Sequence, residues 1–370
     1  MRRAEPAFSM MFPWRWRAAP GLVGVAVALL LVAVGAGSAW SKGGGRAARA
    51  QRKAAKAACK AGEAAACARL GGLLMEGKRP RTKAARAAFK QGCDGGVGVA
   101  CRLWASMARE GKGGPVEAPA ARAMFKRLCR DGRGDAAACS LLGEMRVAGQ
   151  GGPRDVAGAL AVLMPACDAG QGKACYNAGA IHYHGYGLAK EPAKARPLFR
   201  RGCAAGDAGA CRNFAVMAAR GEGGPTDEVA ARRALGAACE AGHRESCELA
   251  MDMNERGAGG VRDPTLERRL ALRLCDLGDV AACARAADML FTGQGGAADV
   301  PRGLELAARA CRGGVAHGCY NDGVGWHQGL GGRRADARRA RKLFAKACEG
   351  QEQAGCYNLA VLAARGEGAV

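Results

Sequence analysis

The chain has 370 residues, with 56 Lys and Arg against 33 Asp and Glu, a formal net charge of +23, 5% aromatic residues and 58 glycines. So few aromatics exclude a fold built around a few large cores and suit closely approaching helices of small residues. The charge is uneven: residues 1–111 hold 20 Lys/Arg and 5 Asp/Glu (+15), and the remaining 36 and 28 give +8.

The basic excess therefore sits at the amino-terminal end, with a smaller basic patch at Arg333–Lys346. Such a field suits an anionic partner: a lipid surface, an envelope polymer or nucleic acid. It is equally the mark of a solvated helix face in an Arg-rich sequence.

The first feature along the chain is Gly21–Val34, 14 residues without a charge, preceded by Arg15 and Arg17 and followed by the small residues Gly35 to Ala39. It reads as an export segment. Gly37 and Ala39 satisfy the small-x-small cleavage rule, which would release a chain beginning at Trp40. The competing reading is an uncleaved anchor over residues 20–40, long enough to cross a bilayer core of about 30 Å. Trp14, Trp16 and Trp40 would then sit at the two interfaces. No cysteine follows the apolar run directly, which argues against a lipoprotein. Residues 1–40 are thus expected to be a signal or signal-anchor segment and 41–46 a flexible tether.

The 18 cysteines fall into nine pairs. In chain order these are Cys59 with Cys67, Cys93 with Cys101, Cys129 with Cys139, Cys167 with Cys175 and Cys203 with Cys211. Cys239 with Cys247, Cys275 with Cys283, Cys311 with Cys319 and Cys348 with Cys356 complete the set. Partners are separated by seven residues, except for a two-residue insertion between Cys129 and Cys139. Eight of these segments place a Gly three residues after the first Cys, as at Gly62, Gly206 and Gly242. A Gly there ends a helix in the left-handed conformation. The first Cys then closes one helix and the second opens the next, with the thiols across a tight turn. Disulfides fit an exported chain. A metal site wants about four ligands, and redox catalysis prefers one special pair two residues apart. The pairs are therefore read as structural bridges.

The same units repeat every 36 residues or so, best seen in Ala208–Gly242. Four places after each second Cys stands a small residue (Gly71, Ala105, Gly143, Gly179, Ala215, Ala287, Gly323, Ala360), with Met251 the one large exception. Ten places after it stands Gly in all nine units, from Gly77 to Gly366, and a second Gly follows two later in all but the first, which has Arg79. A loop with Pro or Asp then starts the second helix, as at Asp263-Pro264. Ala eight residues and Phe or Leu four residues before the closing Cys (Ala195 and Phe199, for example) share one helix face and are core positions. No strand-like alternation appears.

The expectation is an all-α solenoid of α/α hairpins over 47–370, with eight full repeats over 64–352 and a half-repeat at each end. Val370 falls where a further second helix would be expected.

Lines such as GCYNLAVLAARGEG and KARPLFRRGCAAGDAGACRNFA resemble the Sel-like repeat family, whose α/α repeats are related to tetratricopeptides. The resemblance covers about 46–370. The doubled cysteines resemble its cysteine-rich secreted branch, the helicobacter-type cysteine-rich proteins, in which such pairs are disulfides. The resemblance implies an adaptor that binds protein or peptide in a concave groove. It also brings in a β-lactam-binding or weak β-lactamase activity attributed to some members of that branch.

The residues do not support the latter. None of the six serines (Ser9, Ser38, Ser41, Ser106, Ser140, Ser246) is followed by Lys three residues later. His182 and His184 diverge by about 200° on a helix, and the metal-type pattern fails at Tyr186. No cofactor, metal or catalytic residue is expected.

For a ligand, the second residue after the opening Cys is Asn in four units: Asn177, Asn213, Asn321 and Asn358. Recurring amides at one height on the first helices would hydrogen-bond an extended peptide, or else bond within their own repeat. Tyr176, Tyr320 and Tyr357 add contact area beside them, and Arg102, Arg212 and Arg220 offer weaker carboxylate contacts. The function expected is an exported scaffold, periplasmic or extracellular and anchored if residues 20–40 are kept. It would bind a protein or peptide, or an anionic envelope polymer or lipid surface through its basic end. Nucleic acid is the least favoured partner.

Overall fold

The computed structural model describes residues 44–76, 79–130 and 134–368, all helices and turns apart from one isolated bridge. The export or anchor segment and Gly77 and Gly132 lie outside the described residues. So does the tether, except that the first helix already begins at Gly44.

The chain divides into two compact units. One comprises α1 (Gly44–Lys60), α2 (Ala64–Met75), α3 (Thr82–Asp94) and α4 (Gly98–Glu110) as far as Met107. The other comprises the last turn of α4, then α5 (Ala118–Cys129), α6 (Ala136–Ala148), α7 (Val156–Asp168), α8 (Gly172–His184), α9 (Pro192–Ala204) and α10 (Ala208–Arg220). It continues with α11 (Glu228–Glu240), α12 (Arg244–Glu255), α13 (Pro264–Asp276), α14 (Val280–Thr292), α15 (Val300–Arg312), α16 (Ala316–Gln328), α17 (Ala337–Glu349) and α18 (Gln353–Ala364). Even-numbered helices are the first helices of the hairpins and odd-numbered ones the second.

Helix starts follow from the caps. Asp135, Asp155, Asp207, Asp227, Asp263, Asp279, Asp299 and Asp336 each accept a hydrogen bond from a backbone N–H of the first turn. Such a cap stabilises a helix by about 1 kcal/mol. At α12 the imidazole of His243 takes that role for Ser246. Helix ends follow from glycine: the expected stops Gly149, Gly221, Gly293 and Gly329 have φ of +67°, +71°, +73° and +69°. In the last cysteine turn, where Gly is missing, Gln351 adopts φ +65° itself.

Packing inside a hairpin explains the small and large positions together. A Cβ on Gly71 would stand 2.5 Å from the Phe89 ring, one on Gly143 2.5 Å from Leu163, and one on Gly323 2.7 Å from Phe344. The small residue of the first helix is the floor on which the large residue of the second helix lies. The exception obeys the same volume rule: where Met251 replaces the small residue, Ala271 stands where Phe or Leu would be, and both are buried in one core cluster.

Packing between repeats has four parts. First, successive first helices touch, as α6 with α8, α8 with α10, α14 with α16 and α16 with α18.

Second, every cysteine is in a disulfide with the next or preceding cysteine of the chain, and none is free. Cys59 is bonded to Cys67, Cys93 to Cys101 and Cys129 to Cys139, with Cα–Cα distances of 4.6, 4.4 and 4.7 Å. Cys167 is bonded to Cys175, Cys203 to Cys211 and Cys239 to Cys247, at 4.6, 4.3 and 4.6 Å. Cys275 is bonded to Cys283, Cys311 to Cys319 and Cys348 to Cys356, at 4.6, 4.4 and 4.5 Å. The two-residue insertion between Cys129 and Cys139 is absorbed by the turn, since the Cα atoms there stand no further apart than about 0.4 Å beyond the tightest pair. Each bridge joins the second helix of one repeat to the first helix of the next.

Third, the second loop Gly is pressed onto the preceding repeat. A Cβ on Gly151, Gly223, Gly259 or Gly295 would lie 2.3 to 2.4 Å from the carbonyl oxygen of Ala118, Pro192, Glu228 or Pro264. Finally, the fifth residue of α5, α9, α11 and α13 is Arg, and it donates to a loop carbonyl of the next repeat. Arg122 reaches Pro153 at 2.9 Å, Arg196 Pro225 at 2.7 Å, Arg232 Val261 at 3.1 Å and Arg268 Ala297 at 2.8 Å.

Candidate binding face along the first helices

The first helices lie side by side, so side chains at equal height form rows across them. The structure fills these rows with polar pairs, one or more at every joint from the last turn of α4 to α18. Arg109 pairs with Glu144 at 3.1 Å, and Glu144 in turn accepts from the Asn177 amide at 3.1 Å. The Tyr183 hydroxyl donates to Glu222 at 2.7 Å, and Arg212 pairs with Glu245 at 3.0 Å. Arg285 bridges Glu255 and Glu267, both at 2.5 Å. His317 lies between Asp288 and Glu352, at 3.0 and 3.1 Å, and Asn321 donates to Asp288 at 2.6 Å.

Asn177 and Asn321 therefore bond neither within their own repeat nor outward: each reaches the first helix of the preceding repeat. Asn177 also lies 3.3 Å from the Ser140 hydroxyl. Asn213 and Asn358 sit at the same height, and both are half-buried. Tyr176 and Tyr320 lean onto the large residue of their own hairpin, with ring centroids 5.9 Å from Phe199 and 6.2 Å from Phe344. Tyr357, on α18, has no such neighbour among the described residues and is 70% exposed. Of the arginines, Arg102 is half-buried, Arg212 holds Glu245, and Arg220 has Glu222 at 3.6 Å.

Electrostatics follow from these pairs. Burial and the bond to Glu222 push the Tyr183 hydroxyl up to about 12, and burial with nearby Asp207 does the same for Tyr176. Burial opposes ionisation of Glu267, but the Arg285 and Arg262 guanidiniums outweigh it and hold the carboxyl below its ordinary range. For His317, burial lowers basicity and the flanking Asp288 and Glu352 carboxylates more than restore it, so its pKa is raised.

The histidines singled out in the sequence are accounted for structurally. His182 bonds Glu191 at 2.9 Å, and burial beside Lys190 holds His184 below the usual imidazole range. Tyr186 follows with φ +41°, and its carbonyl accepts from Arg154 at 2.6 Å. Ser106 donates to the Arg102 carbonyl, Ser140 is buried beside Asn177, and Ser246 bonds His243. Ser9, Ser38 and Ser41 lie outside the described residues. Among the described residues no group of three or more His, Cys, Asp or Glu is placed to hold a metal ion.

Two features escaped the sequence reading. The arginine row on the second helices was visible as the 36-residue spacing of Arg196, Arg232 and Arg268. The joint pairs were not, because Arg–Glu, Tyr–Glu, Asn–Glu and His–Asp take turns at one role and no residue type recurs.

The Sel1 repeat family matches this chain at residues 136–161, 172–207, 280–315 and 316–351. No curated protein sequence matches it. Among solved structures, it is similar to a protective antigen of uropathogenic Escherichia coli strains that displays an SLR fold. Identity is 21%, coverage is 85% of this chain and 67% of that one, and the TM-score is 0.50. It is also similar to a Sel1 repeat protein from Oxalobacter formigenes, with 21% identity, coverage of 88% and 91%, and a TM-score of 0.40. All four matched stretches begin at first helices; three end in cysteine turns, and the match over 136–161 ends within α7. The chain therefore carries Sel1 repeats at these residues, within an all-α array of the SLR fold in which all nine cysteine pairs are disulfides.

Proposed function

We propose that the chain is an exported scaffold that binds a protein or peptide partner along the face of its first helices. The observation that carries this reading is the continuity of that face. Because neighbouring first helices touch, an extended ligand laid across them meets one row of side chains after another. Arg220, Asn213, Asn358 and exposed Tyr357 are the residues of that face best placed to meet it. The polar joints fix the row, so a ligand finds it already ordered and binding costs less conformational entropy.

Export is supported by the disulfides, which persist in oxidising compartments. The periplasm or cell exterior is the proposed location. Among the described residues no helix is long and apolar enough to cross a membrane. A second contact is supported by α1, a helix without an acidic residue, whose Arg49, Lys53, Lys56 and Lys60 recur at helical spacing. That face suits the anionic lipid or envelope surface expected for the basic end.

The test is site-specific photocrosslinking in the native host. A photoreactive residue at Arg220 is expected to capture a defined partner that the same residue at Arg233, on the second helix, does not. Equal capture from both positions would remove the reading. The purified oxidised protein is expected to leave a chromogenic β-lactam intact.

A further inference from the structure

Many cations on this surface hold a carboxylate, a loop carbonyl or an aromatic ring, as Arg244, Arg196 and Lys173 do. The end of the second unit differs. Between residues 333 and 346 there are seven Lys and Arg and one acid, Asp336. The structure divides six of these cations into an inner set and an outer row; the seventh, Arg341, is half-buried beside them. Arg333 bonds the buried Asp322 at 2.6 Å and lies 4.7 Å from the Trp326 ring. Arg339 stacks on the same ring at 4.4 Å and pairs with Asp336 at 3.2 Å. These two arginines and Trp326 fix the entry to α17.

Arg334, Arg338, Lys342 and Lys346 form the outer row. They lie on the solvent side, and among the described residues none of them is ion-paired. Along α17 the three helical members recur every four residues, so each step advances about 6 Å along one side of the helix. The opposite side, Ala340, Phe344 and Ala347, is buried in the core, so the row faces outward. Arg338 is the second residue of α17, where the helix dipole disfavours a cation. A charge placed against a local rule without a partner in the fold marks a site that serves something outside it.

We propose that this row on α17 is a binding site for a linear phosphate-bearing polyanion. A line of cations matches a line of anions, and the unpaired guanidinium and ammonium groups are suited to phosphate oxygens. A bilayer-binding helix would flank its cations with exposed apolar side chains. Of the two large apolar residues of α17, Phe344 is fully buried and Leu343 half-buried, so neither is exposed beside the row. The site is separate from the first-helix face and does not depend on the peptide-binding reading.

The experiment titrates the full-length oxidised protein against a labelled inorganic polyphosphate chain of several tens of phosphates, over a range of salt. The combined variant Arg338→Glu, Lys342→Glu, Lys346→Glu is expected to bind at least about tenfold more weakly at physiological salt, with a log–log salt slope shallower by about 2. A control variant with the same charge change at scattered exposed cations of α5, α9 and α11 (Lys126→Glu, Arg200→Glu, Arg233→Glu) is expected to lose no more than about threefold. Both variants are checked by circular dichroism, and Arg338→Gln, Lys342→Gln, Lys346→Gln replaces the reversal set if that set does not fold. Equal losses in the two variants would show that net charge alone is responsible and overturn the site. So would absence of polyphosphate binding, or tighter binding to phosphatidylglycerol vesicles at equal phosphate concentration.

Discussion

Gly223 stands so close to Pro192 that a Cβ on it would lie 2.3 Å from the Pro192 carbonyl oxygen. Its φ of +72° adds a second requirement for glycine. The contact joins consecutive repeats, because Gly223 is in the loop after α10 and Pro192 opens α9. Replacing Gly223 by Ala is therefore expected to damage a joint and not merely a turn. Left-handed backbone alone costs a non-glycine residue about 1–2 kcal/mol, and the overlap must add to that by pushing two repeats apart. Gly206 is the control: its φ is +84° and a Cβ there would meet nothing within 4 Å. In urea denaturation Gly206→Ala should lose about 1 kcal/mol and Gly223→Ala distinctly more. Equal losses would mean that the loop yields freely and the joint does not depend on it.

The same volume logic inside a hairpin predicts a reciprocal pair. Gly143→Ala puts a methyl 2.5 Å from Leu163 Cγ in a side chain with no exposed surface, so it cannot swing aside. Overpacking of this kind costs about 1–3 kcal/mol. Combining a larger residue with a smaller partner, as Gly143→Met with Leu163→Ala, recreates the arrangement of Met251 and Ala271. The double variant is expected to melt above Gly143→Met alone. A melting temperature that falls further on adding the second change would break the volume argument.

How far the sequence revealed this follows from what repeats. Glycines at +10 and +12, the small and large core positions and the cysteine turns recur because each satisfies a backbone or volume rule identical in every unit, and they are readable one residue at a time. The joints are different. Arg212 with Glu245, Tyr183 with Glu222 and His317 with Asp288 do one job with different chemistry, so periodicity hides them. For the same reason the recurrence of the Asn residues was visible while the partners of Asn177 and Asn321, Glu144 and Asp288, were not: each lies about one repeat earlier and varies.

Closing a nine-residue loop by the Cys239–Cys247 disulfide should stabilise by up to about 2.6 kcal/mol in the chain-entropy picture. The two sulfur-bearing residues have no exposed surface, so the bridge is also part of the core. The paired variant Cys239→Ala, Cys247→Ala is expected to unfold at lower urea, with increased hydrogen exchange in α11 and α12 first, since a repeat array communicates through neighbours. Alkylation of the protein from its native host without reduction should find no free thiol. Eighteen free thiols would place the array in a reducing compartment and remove the case for export.

Two titrating groups should act on stability in opposite directions. Burial lowers the His317 pKa, but Asp288 and Glu352 outweigh it and raise the value in the folded chain. Its contribution is complete below the unfolded value of about 6.5 and is lost as pH rises through the folded value. Burial works against the Glu267 carboxylate, yet Arg285 and Arg262 hold its pKa down. Its contribution is complete above the ordinary carboxylate range and is lost as pH falls through its folded value. Urea midpoints measured from acid to mildly alkaline pH should therefore rise through the acid limb and decline past neutrality. His317→Gln is expected to flatten the decline and leave the acid limb unchanged, because Glu267 lies in a separate cluster with Arg262 and Arg285. Glu267→Gln should do the reverse, with a further loss at neutral pH from leaving the partly buried Arg285 without one of its carboxylates. If His317→Gln keeps the full alkaline decline, the joint between α14, α16 and α18 is not held by the protonated imidazole.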